Sequence, residues 1–262
     1  MTLPDLDPFI RAANAAADAA GAVIRPFFRA DLTADLKDDA SPVTIADRTA
    51  ELVLRAVIGE RFPDHGILGE EFPIRNPAAG LRWVLDPIDG TRAFITGRPV
   101  FGTLIALLAD GVPILGMIDQ PVTGERWIGA AGRPTLFTGP LGGRAGKRAC
   151  ARLAEAELSV TSPDMFEAGD LDAWGRVKSA VRRTTYGGDC YAYGLLALGQ
   201  IDLIVESTMK IWDWAALAPV IEGAGGRMTD WHGRKLTPDS DGHVLAVGDP
   251  RLLDQALPLL AA

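Results

Sequence analysis

The chain has 262 residues, 48% of them hydrophobic, and a chain of this length buries roughly 70–75% of its unfolded surface, as one large domain or two closely packed halves. Its formal net charge of −8 disfavours a nucleic-acid-binding surface, and Cys150 and Cys190 alone make neither a disulfide framework nor a zinc pattern. Because neither a basic leader nor an apolar run of about 18 residues is found, we expect a cytoplasmic protein without a membrane span.

Two helices are predicted at the start of the chain. The first has apolar residues at spacings of three and four, the period of one helix face: Phe9, Ala13, Ala16, Ala20, Val23 and Phe27. Residues 37–44 are typical of a polar turn. Thr44 and Asp47 have the spacing of a capping box, with Asp in place of the usual Glu or Gln, and predict the start of a second helix. That helix has its apolar side over residues 46–58 and is expected to end near Phe62.

The next segments predict an antiparallel sheet. Residues 65–71 are expected to form a strand that ends in Glu70 and Glu71, which on their own are typical of a solvated charge pair. Apolar runs at 100–108, 114–118 and 125–130 predict further strands. Asp110-Gly111, between the first two runs, is typical of a two-residue hairpin.

The segment Trp83-Val84-Leu85-Asp86-Pro87-Ile88-Asp89-Gly90-Thr91 suits a metal site that binds phosphate. An apolar run typical of a buried strand leads into Asp86 and Asp89, three residues apart. Gly90-Thr91 can open a helix, whose backbone N–H groups attract anions. Mg²⁺ prefers oxygen ligands and is usually completed by water and substrate phosphate. Taken alone, the segment is explained equally well as a solvated turn.

Residues 139–146 are a glycine-rich connector, and they divide the chain into two parts. Residues 1–140 hold the helices and the antiparallel sheet, and residues 141–262 an α/β part, within one continuous unit. In the second part strands alternate with helices, which predicts a mainly parallel sheet covered on both faces. The predicted strands are 158–161, 183–186, 201–205, Met228 and 244–247; the predicted helices are 171–181, 190–198, 214–222 and 252–260.

Carboxylates stand at the ends of several of these elements. Asp213 and Asp189 each precede a predicted helix, where an N-cap is a sufficient explanation for either one alone. Glu70, Asp86 and Asp89 follow predicted strands. Because open α/β sheets place ligands at the ends of their strands, we expect these side chains to converge.

Taken together, these residues resemble the inositol monophosphatase family of Mg²⁺-dependent phosphatases, over nearly the whole chain. The matching segments are Gly69-Glu70-Glu71, the Trp83 to Thr91 segment, Trp212-Asp213 and Gly225-Gly226, together with Lys37, Asp38, Ser41-Pro42-Val43-Thr44 and Ala46-Asp47. The resemblance implies an α/β (α+β) fold, the five-layer α-β-α-β-α sandwich of this family, and a homodimer.

The resemblance also implies a set of metal ligands. Glu70, Asp86 and the backbone carbonyl of Ile88 would hold one Mg²⁺. Asp86, Asp89 and Asp213 would hold a second, so that Asp86 bridges the two ions. Glu70 can reach a third ion, which gives two or three ions per active site.

Further roles follow for the catalytic groups. Thr91, hydrogen-bonded to Asp47, would orient the attacking water together with Glu70. The backbone N–H groups of Gly90 and Thr91 would bind the phosphate, with Asp89 and Asp213 facing the substrate. Neither a serine-hydrolase motif nor an activated cysteine is found, so a protein nucleophile is not expected.

Two segments are similar to the histidinol-phosphate phosphatases within the family: residues 94–103 and Gly187-Gly188-Asp189-Cys190-Tyr191-Ala192-Tyr193. Asp189, with Glu206 nearby, could pair with the ammonium group of histidinol phosphate, whereas a polyol would leave this carboxylate poorly compensated. Arg183 could contact the substrate phosphate or a carboxylate across a dimer interface, or could be a surface residue of a strand.

Several functions stay open at this point. The preferred one is hydrolysis of histidinol phosphate, a small phosphorylated substrate of histidine biosynthesis. An inositol or sugar phosphatase, and a phosphatase for adenosine bisphosphate, would use the same fold. A non-catalytic Mg²⁺- or phosphate-binding protein is the alternative from another class, although it would not need the groups that activate water.

Overall fold

The structure, a computed structural model, describes residues 4–30, 35–36 and 42–261. Its helices are α1 (Asp7–Ile24), α2 (Ile45–Arg61), α3 (Thr91–Ile95), α4 (Ala168–Ala180), α5 (Asp189–Ala197), α6 (Ile211–Trp214), α7 (Leu217–Gly223) and α8 (Leu253–Ala261). Its strands are β1 (Asp35–Leu36), β2 (Pro42–Val43), β3 (Gly66–Gly69), β4 (Leu81–Asp89), β5 (Gly102–Ala109), β6 (Val112–Gln120), β7 (Glu125–Ala130), β8 (Leu136–Thr138), β9 (Glu157–Val160), β10 (Arg183–Tyr186), β11 (Leu203–Glu206), β12 (Arg227–Thr229) and β13 (Val244–Val247). Most of the predicted polar turn at 37–44 lies outside the described residues.

The first large sheet has the strand order β3-β4-β5-β6-β7-β8. From β4 to β8 all neighbours are antiparallel, which confirms the predicted meander. Asp110 and Gly111 join β5 to β6 with φ angles of 48° and 82°, the left-handed pair typical of a two-residue hairpin. β3 instead runs parallel to β4, with Gly69 opposite Leu85. This pairing brings the residue after β3, Glu70, next to Asp86.

The second sheet has the order β10-β9-β11-β13-β12 and is mixed. β10, β9 and β11 are parallel, whereas β13 is antiparallel to both β11 and β12. Four of the five strands therefore run in the same direction, and the prediction of a mainly parallel sheet is wrong only for β13, which runs opposite to its neighbours. The chain passes from β12 to β13 through residues 230–243, which contain no helix, whereas parallel neighbours are usually joined by a crossover helix.

Helices and sheets alternate in five layers. α1 and α2 cover one face of the first sheet, where Leu54 packs in the same cluster as Trp83. α5, α6 and α7 lie between the sheets, and Val220 of α7 shares a cluster with Trp127 of β7. α4 and α8 cover the outer face of the second sheet, with Trp174 in its core. This α-β-α-β-α sandwich confirms the predicted fold class.

The middle layer approaches the first sheet very closely. A β-carbon on Gly116 of β6 would lie 2.0 Å from the carbonyl oxygen of Ala216, and one on Gly129 of β7 would lie 2.2 Å from the backbone of Pro219. Glycine at these positions therefore gives the backbone around the start of α7 room to lie directly on the strands.

The single helix predicted over residues 214–222 is divided into α6 and α7. Pro219 has no N–H to donate to the carbonyl of Ala215, four residues earlier, so a continuous helix would lose that bond. In α7, which begins at Leu217, proline lies in the first turn, where no such bond is required. The predicted division at residue 140 falls in the connector between the two sheets.

Candidate active site

The end of β4 carries the first two carboxylates of the site. Asp86 is 2% exposed, and the register with β5 shifts between Asp86 and Asp89. Pro87 lies in this irregularity, one of the few places where a strand accepts proline, and its carbonyl accepts a hydrogen bond from Thr103 Oγ1 at 2.8 Å. The Ile88 N–H donates to Asp86 Oδ1 at 3.0 Å. This break in the ladder lets Asp86 and Asp89 face the same site.

Gly90 turns the chain from β4 into the short helix α3. Its φ of +88° lies in the left-handed region, which glycine adopts without strain. A β-carbon at this position would also lie 2.9 Å from the β-carbon of Asp189. The turn after the strand is therefore packed directly against the loop that begins α5.

Asp86, Asp89 and Asp213 come together although 127 residues separate the first from the last. Each offers an oxygen, and these three oxygens lie within 4.8 Å of one another. Backbone N–H groups hold two of the side chains: Cys190 donates to Asp89 Oδ2 at 2.6 Å, and Lys210 donates to Asp213 Oδ2 at 2.7 Å. Asp213 is the third residue of α6, whose N-cap is Lys210, so the alternative explanation of Asp213 as the N-cap is wrong.

The electrostatics of this cluster suit a divalent cation. Burial, followed by the charges of neighbouring carboxylates, raises the pKa of Asp86 and of Asp89 well above the usual value. Burial likewise raises the pKa of Asp213 to about 7. Within the described part of the chain, none of the three forms a salt bridge with lysine or arginine. Buried carboxylates that repel one another are compensated by a bound metal ion, so the donor set fits the predicted group.

Glu70 lies at the edge of this cluster. Its backbone N–H donates to the carbonyl of Leu85 at 3.2 Å, directly before Asp86. After burial, its charge is the largest cause of the raised pKa of Asp86. Glu70 also lines a cavity of about 340 Å³ together with Gly90 and Thr91. The sequence-predicted acidic residues are therefore brought to one place.

The predicted contact between Thr91 and Asp47 is present. Thr91 Oγ1 lies 3.3 Å from Asp47 Oδ1 and 3.1 Å from the carbonyl oxygen of Ile88. Asp47 Oδ2 accepts hydrogen bonds from the N–H and the hydroxyl of Thr44, at 2.8 and 2.5 Å, which is the predicted capping box. Burial raises the pKa of Asp47. The start of α2 thus fixes the side chain that orients Thr91.

Asp189 faces the same cavity from the second half of the chain. It is the first residue of α5, its φ is +42°, and the N-cap is Gly188, so the interpretation of Asp189 as a side-chain cap is wrong. Burial and the charge of Glu206 raise the pKa of Asp189 to about 7, whereas Arg98 and Arg92 lower it.

Glu206 is more enclosed than expected. It is 4% exposed, and its two oxygens accept hydrogen bonds from the Thr161 N–H at 3.0 Å, the Thr161 hydroxyl at 2.5 Å and the Tyr193 hydroxyl at 2.8 Å. With three donors already bound, Glu206 contributes negative charge behind Asp189 rather than a second open acceptor.

Arg183 is not at the site. It begins β10, while Thr161 and Asp189 lie past the opposite ends of β9 and β10. Its guanidinium is exposed and pairs with Glu157 at 2.6 Å. Arg183 is therefore a surface residue of a strand that does not reach the acidic cluster within this chain, and the contact with a carboxylate across a dimer interface stays a prediction.

Sequence reasoning missed several residues of the cavity wall. Thr161 and Met165 line both the 340 Å³ cavity and an adjoining one of about 120 Å³ that reaches Tyr193 and Met209. A threonine at a strand end and a methionine in a loop carry no recognisable pattern. Arg98, which donates to the Gly187 carbonyl at 2.7 Å, lay within a segment noted for its resemblance, but its partner could not be predicted.

The chain is similar to known phosphatases over most of its length. The model of the inositol monophosphatase family matches residues 5–261. The chain is 48% identical to the bifunctional phosphatase IMPL2, chloroplastic, of Arabidopsis thaliana, over 97% of this chain and 75% of that protein. It is 39% identical to a histidinol-phosphatase of Mycobacterium tuberculosis, over 84% and 86% of the two chains. A probable inositol 1-monophosphatase, ImpA, of the same organism is 32% identical over 97% of this chain and 94% of its own.

A solved structure agrees with these matches. An inositol monophosphatase from Zymomonas mobilis is 49% identical and superposes with a TM-score of 0.89, over 99% of this chain and 100% of the other. None of the helices in the described part of the chain has the length and apolarity that a bilayer-spanning helix needs. The match over almost the full length, joined to the cluster of acidic residues, establishes that the chain is a phosphoric monoester hydrolase of the inositol monophosphatase family.

Proposed function

We propose that this protein is a Mg²⁺-dependent phosphatase that hydrolyses histidinol phosphate to histidinol and phosphate. The observation that carries the choice of substrate is the position of Asp189, whose β-carbon packs against Gly90. A negative side chain therefore lies directly beside the turn that would bind phosphate. Histidinol phosphate has an ammonium group close to its phosphate ester and complements this arrangement.

Glu70, Asp86, Asp89, Asp213 and the Ile88 carbonyl are the groups that would hold Mg²⁺. When bound, Mg²⁺ neutralises the phosphate, lowers the pKa of water and stabilises the leaving oxygen. Buried carboxylates with raised pKa values support this assignment, because a cation would favour their ionised forms.

The chain itself supplies orientation. The Thr91 hydroxyl donates its hydrogen to Asp47 Oδ1 or the Ile88 carbonyl and would accept a hydrogen bond from the attacking water, with Glu70 on the other side. Backbone N–H groups at the start of α3 would donate to the phosphate oxygens. Fixing water and ester in this way removes much of the entropic part of the barrier.

The residues that line the two adjoining cavities support a cationic substrate. Asp189 and Glu206 provide negative charge, and Met165, Tyr193 and Met209 provide softer and aromatic surface in the adjoining cavity, suited to an imidazole ring. The names of the relatives support the same substrate, since one is a histidinol-phosphatase at 39% identity. The relative named as an inositol 1-monophosphatase, at 32% identity, makes inositol phosphate the second candidate.

A phosphate-release assay tests the proposal. Purified protein, stripped of metal and then supplied with Mg²⁺, is assayed with histidinol phosphate, inositol 1-phosphate, fructose 1,6-bisphosphate and adenosine 3′,5′-bisphosphate. We expect kcat/KM to be highest for histidinol phosphate and release to stop without Mg²⁺. A higher kcat/KM for inositol 1-phosphate would refute the choice of substrate, and metal-independent release would refute the proposed metal site.

A further inference from the structure

Glu51 lies on α2 with its side chain at 0% exposure, beside the segment that carries Glu70. Its Oε2 accepts a hydrogen bond from the backbone N–H of Glu71 at 2.7 Å. Its Oε1 pairs with Arg55 Nε, one helical turn later, also at 2.7 Å. The Arg55 guanidinium in turn donates to the carbonyl of Phe72 at 2.8 Å. Two side chains of α2 therefore hold the backbone directly after Glu70.

The residue before Glu70 packs against the same carboxylate. A β-carbon on Gly69 would lie 2.0 Å from Glu51 Oε1, and the three atoms nearest to it all belong to the Glu51 side chain. Gly69 does not have a positive φ, so glycine is required here for space and not for backbone conformation. The N–H of Glu70 itself donates to the Leu85 carbonyl. The backbone on both sides of Glu70 is thus fixed, by Glu51 and by β4.

Stability alone is a weak explanation for this buried ion pair. The desolvation of two charges often exceeds their attraction, and well-packed apolar residues are frequently as stable. Glu51 directs its contacts at groups adjoining Glu70, while Asp47, one turn earlier on the same helix, contacts Thr91 at 3.3 Å. One side of α2 therefore faces the two segments that carry Glu70 and Thr91.

We propose that Glu51 is a positioning residue that sets the direction of Glu70 toward Asp86, with Arg55 completing the support. The inference rests on the metal site proposed above. Residues that orient metal ligands typically contribute about 10- to 100-fold in metal affinity. We therefore expect Glu51→Ala to weaken Mg²⁺ binding by about 10-fold or more. Glu51→Gln keeps an acceptor for the Glu71 N–H and should retain most of the affinity.

The experiment measures Mg²⁺ binding directly, by titration calorimetry of the metal-free protein without substrate. The matched controls are Asp202→Ala, for Glu51→Ala, and Asp202→Asn, for Glu51→Gln. Asp202 is also a buried carboxylate, 1% exposed, that pairs with an arginine and accepts a backbone N–H at 2.8 Å, but it lies directly before β11, away from the site. Thermal unfolding is recorded for each variant. Loss of stability is expected in both series, whereas loss of Mg²⁺ affinity is expected only for Glu51.

Gly69→Ala gives an independent test that keeps both residues of the ion pair. Its β-carbon would displace the Glu51 carboxylate, so Mg²⁺ affinity should fall as in Glu51→Ala, and adding Gly69→Ala to Glu51→Ala should cost little more. If Glu51→Ala does not fold, Glu51→Asp keeps the charge but withdraws it from the Glu71 N–H, and the same loss is expected.

The outcomes separate the two proposals. If the native protein binds no Mg²⁺, the proposed metal site fails and this inference fails with it. If the native protein binds Mg²⁺ and folded Glu51→Ala or Glu51→Asp binds it equally well, the metal site stands and the role of Glu51 is refuted. An equal loss of Mg²⁺ affinity in Asp202→Ala would also refute it, because the effect would then be a general loss of packing.

Discussion

Replacing Asp189 by asparagine tests the choice of substrate most directly. Asparagine tolerates the left-handed backbone of this position, where φ is +42°, as well as aspartate does. The N-cap of α5 is Gly188, and within the described part of the chain the Asp189 side chain accepts no capping bond. The helix therefore loses only the weak attraction between its N-terminus and a negative charge in its first turn. The substitution also removes a buried charge that faces Glu206, so the melting temperature should stay equal or rise.

The expected kinetic effect is large for a cationic substrate. A hydrogen bond to a charged group contributes about 1.5–3 kcal/mol, which corresponds to a rise in KM of about ten- to hundredfold for histidinol phosphate. The KM for inositol 1-phosphate, which has no cation, should change far less, and kcat should be largely kept for both. Steady-state phosphate release with the two substrates gives all four constants.

Asp164→Asn is the matched control for this substitution. Asp164 lines the same cavity as Asp189 but is exposed at its rim, so solvent screens its charge. Its replacement should change the KM of neither substrate by more than a small factor. If Asp189→Asn affects both substrates equally, or neither, or if Asp164→Asn has the same effect, then Asp189 does not select a cationic substrate.

Four further substitutions have expected outcomes. Asp86→Asn and Asp213→Asn should each lower kcat by orders of magnitude and weaken Mg²⁺ binding, with Asp86→Asn the more severe; near-normal turnover at saturating Mg²⁺ would contradict the metal assignment. Burial lowers the pKa of His243, but hydrogen bonds to two aspartates raise it overall above 6.5, so the protonated form contributes stability that is complete below about 6.5 and is lost as pH rises through the higher folded value. Urea unfolding from pH 5.5 to 8 should therefore show a decline that is smaller in His243→Asn, and an equal decline would exclude His243 as its source. Gly116→Ala should destabilise the fold by about 1–3 kcal/mol, because its β-carbon would lie 2.0 Å from a backbone oxygen; an unchanged denaturation midpoint would contradict this close approach.

Much of the fold follows from local patterns in the sequence. The capping box at Thr44, the hairpin at Asp110-Gly111 and the apolar runs of the first sheet are each fixed by short-range geometry, and the structure contains all three. The direction of β13 was predicted wrongly because strand–helix alternation stops after β12, with no helix between β12 and β13. Pairing there depends on contacts between distant segments, to which periodicity is insensitive.

For the candidate site, too, some residues could be predicted from the sequence and others could not. The acidic cluster could be predicted because its carboxylates lie at the ends of strands or the start of a helix. Such positions meet at the edge of a sheet. Arg183 was misplaced because an arginine on a strand has no pattern that tells which end of the sheet it occupies. Glu51 was overlooked for a related reason: on a helix surface, a glutamate four residues before an arginine is typical of an exposed pair, and its burial depends on β3 and β4 packing over it.

The site is assembled from segments that are made far apart in time. Asp86 and Asp89 lie in the first sheet and Glu70 directly follows one of its strands, whereas Asp213 belongs to α6, which lies between β11 and β12 of the second sheet. A ribosome must therefore extend the chain by 127 residues beyond Asp86 before Asp213, the last of these carboxylates, exists. Until then, a nascent or truncated chain carries an incomplete acidic cluster, without the helix that closes it. If a preparation contains chains of several lengths, its phosphatase activity is therefore expected only from chains that extend past α6 and in which both sheets have packed against the layer of helices between them.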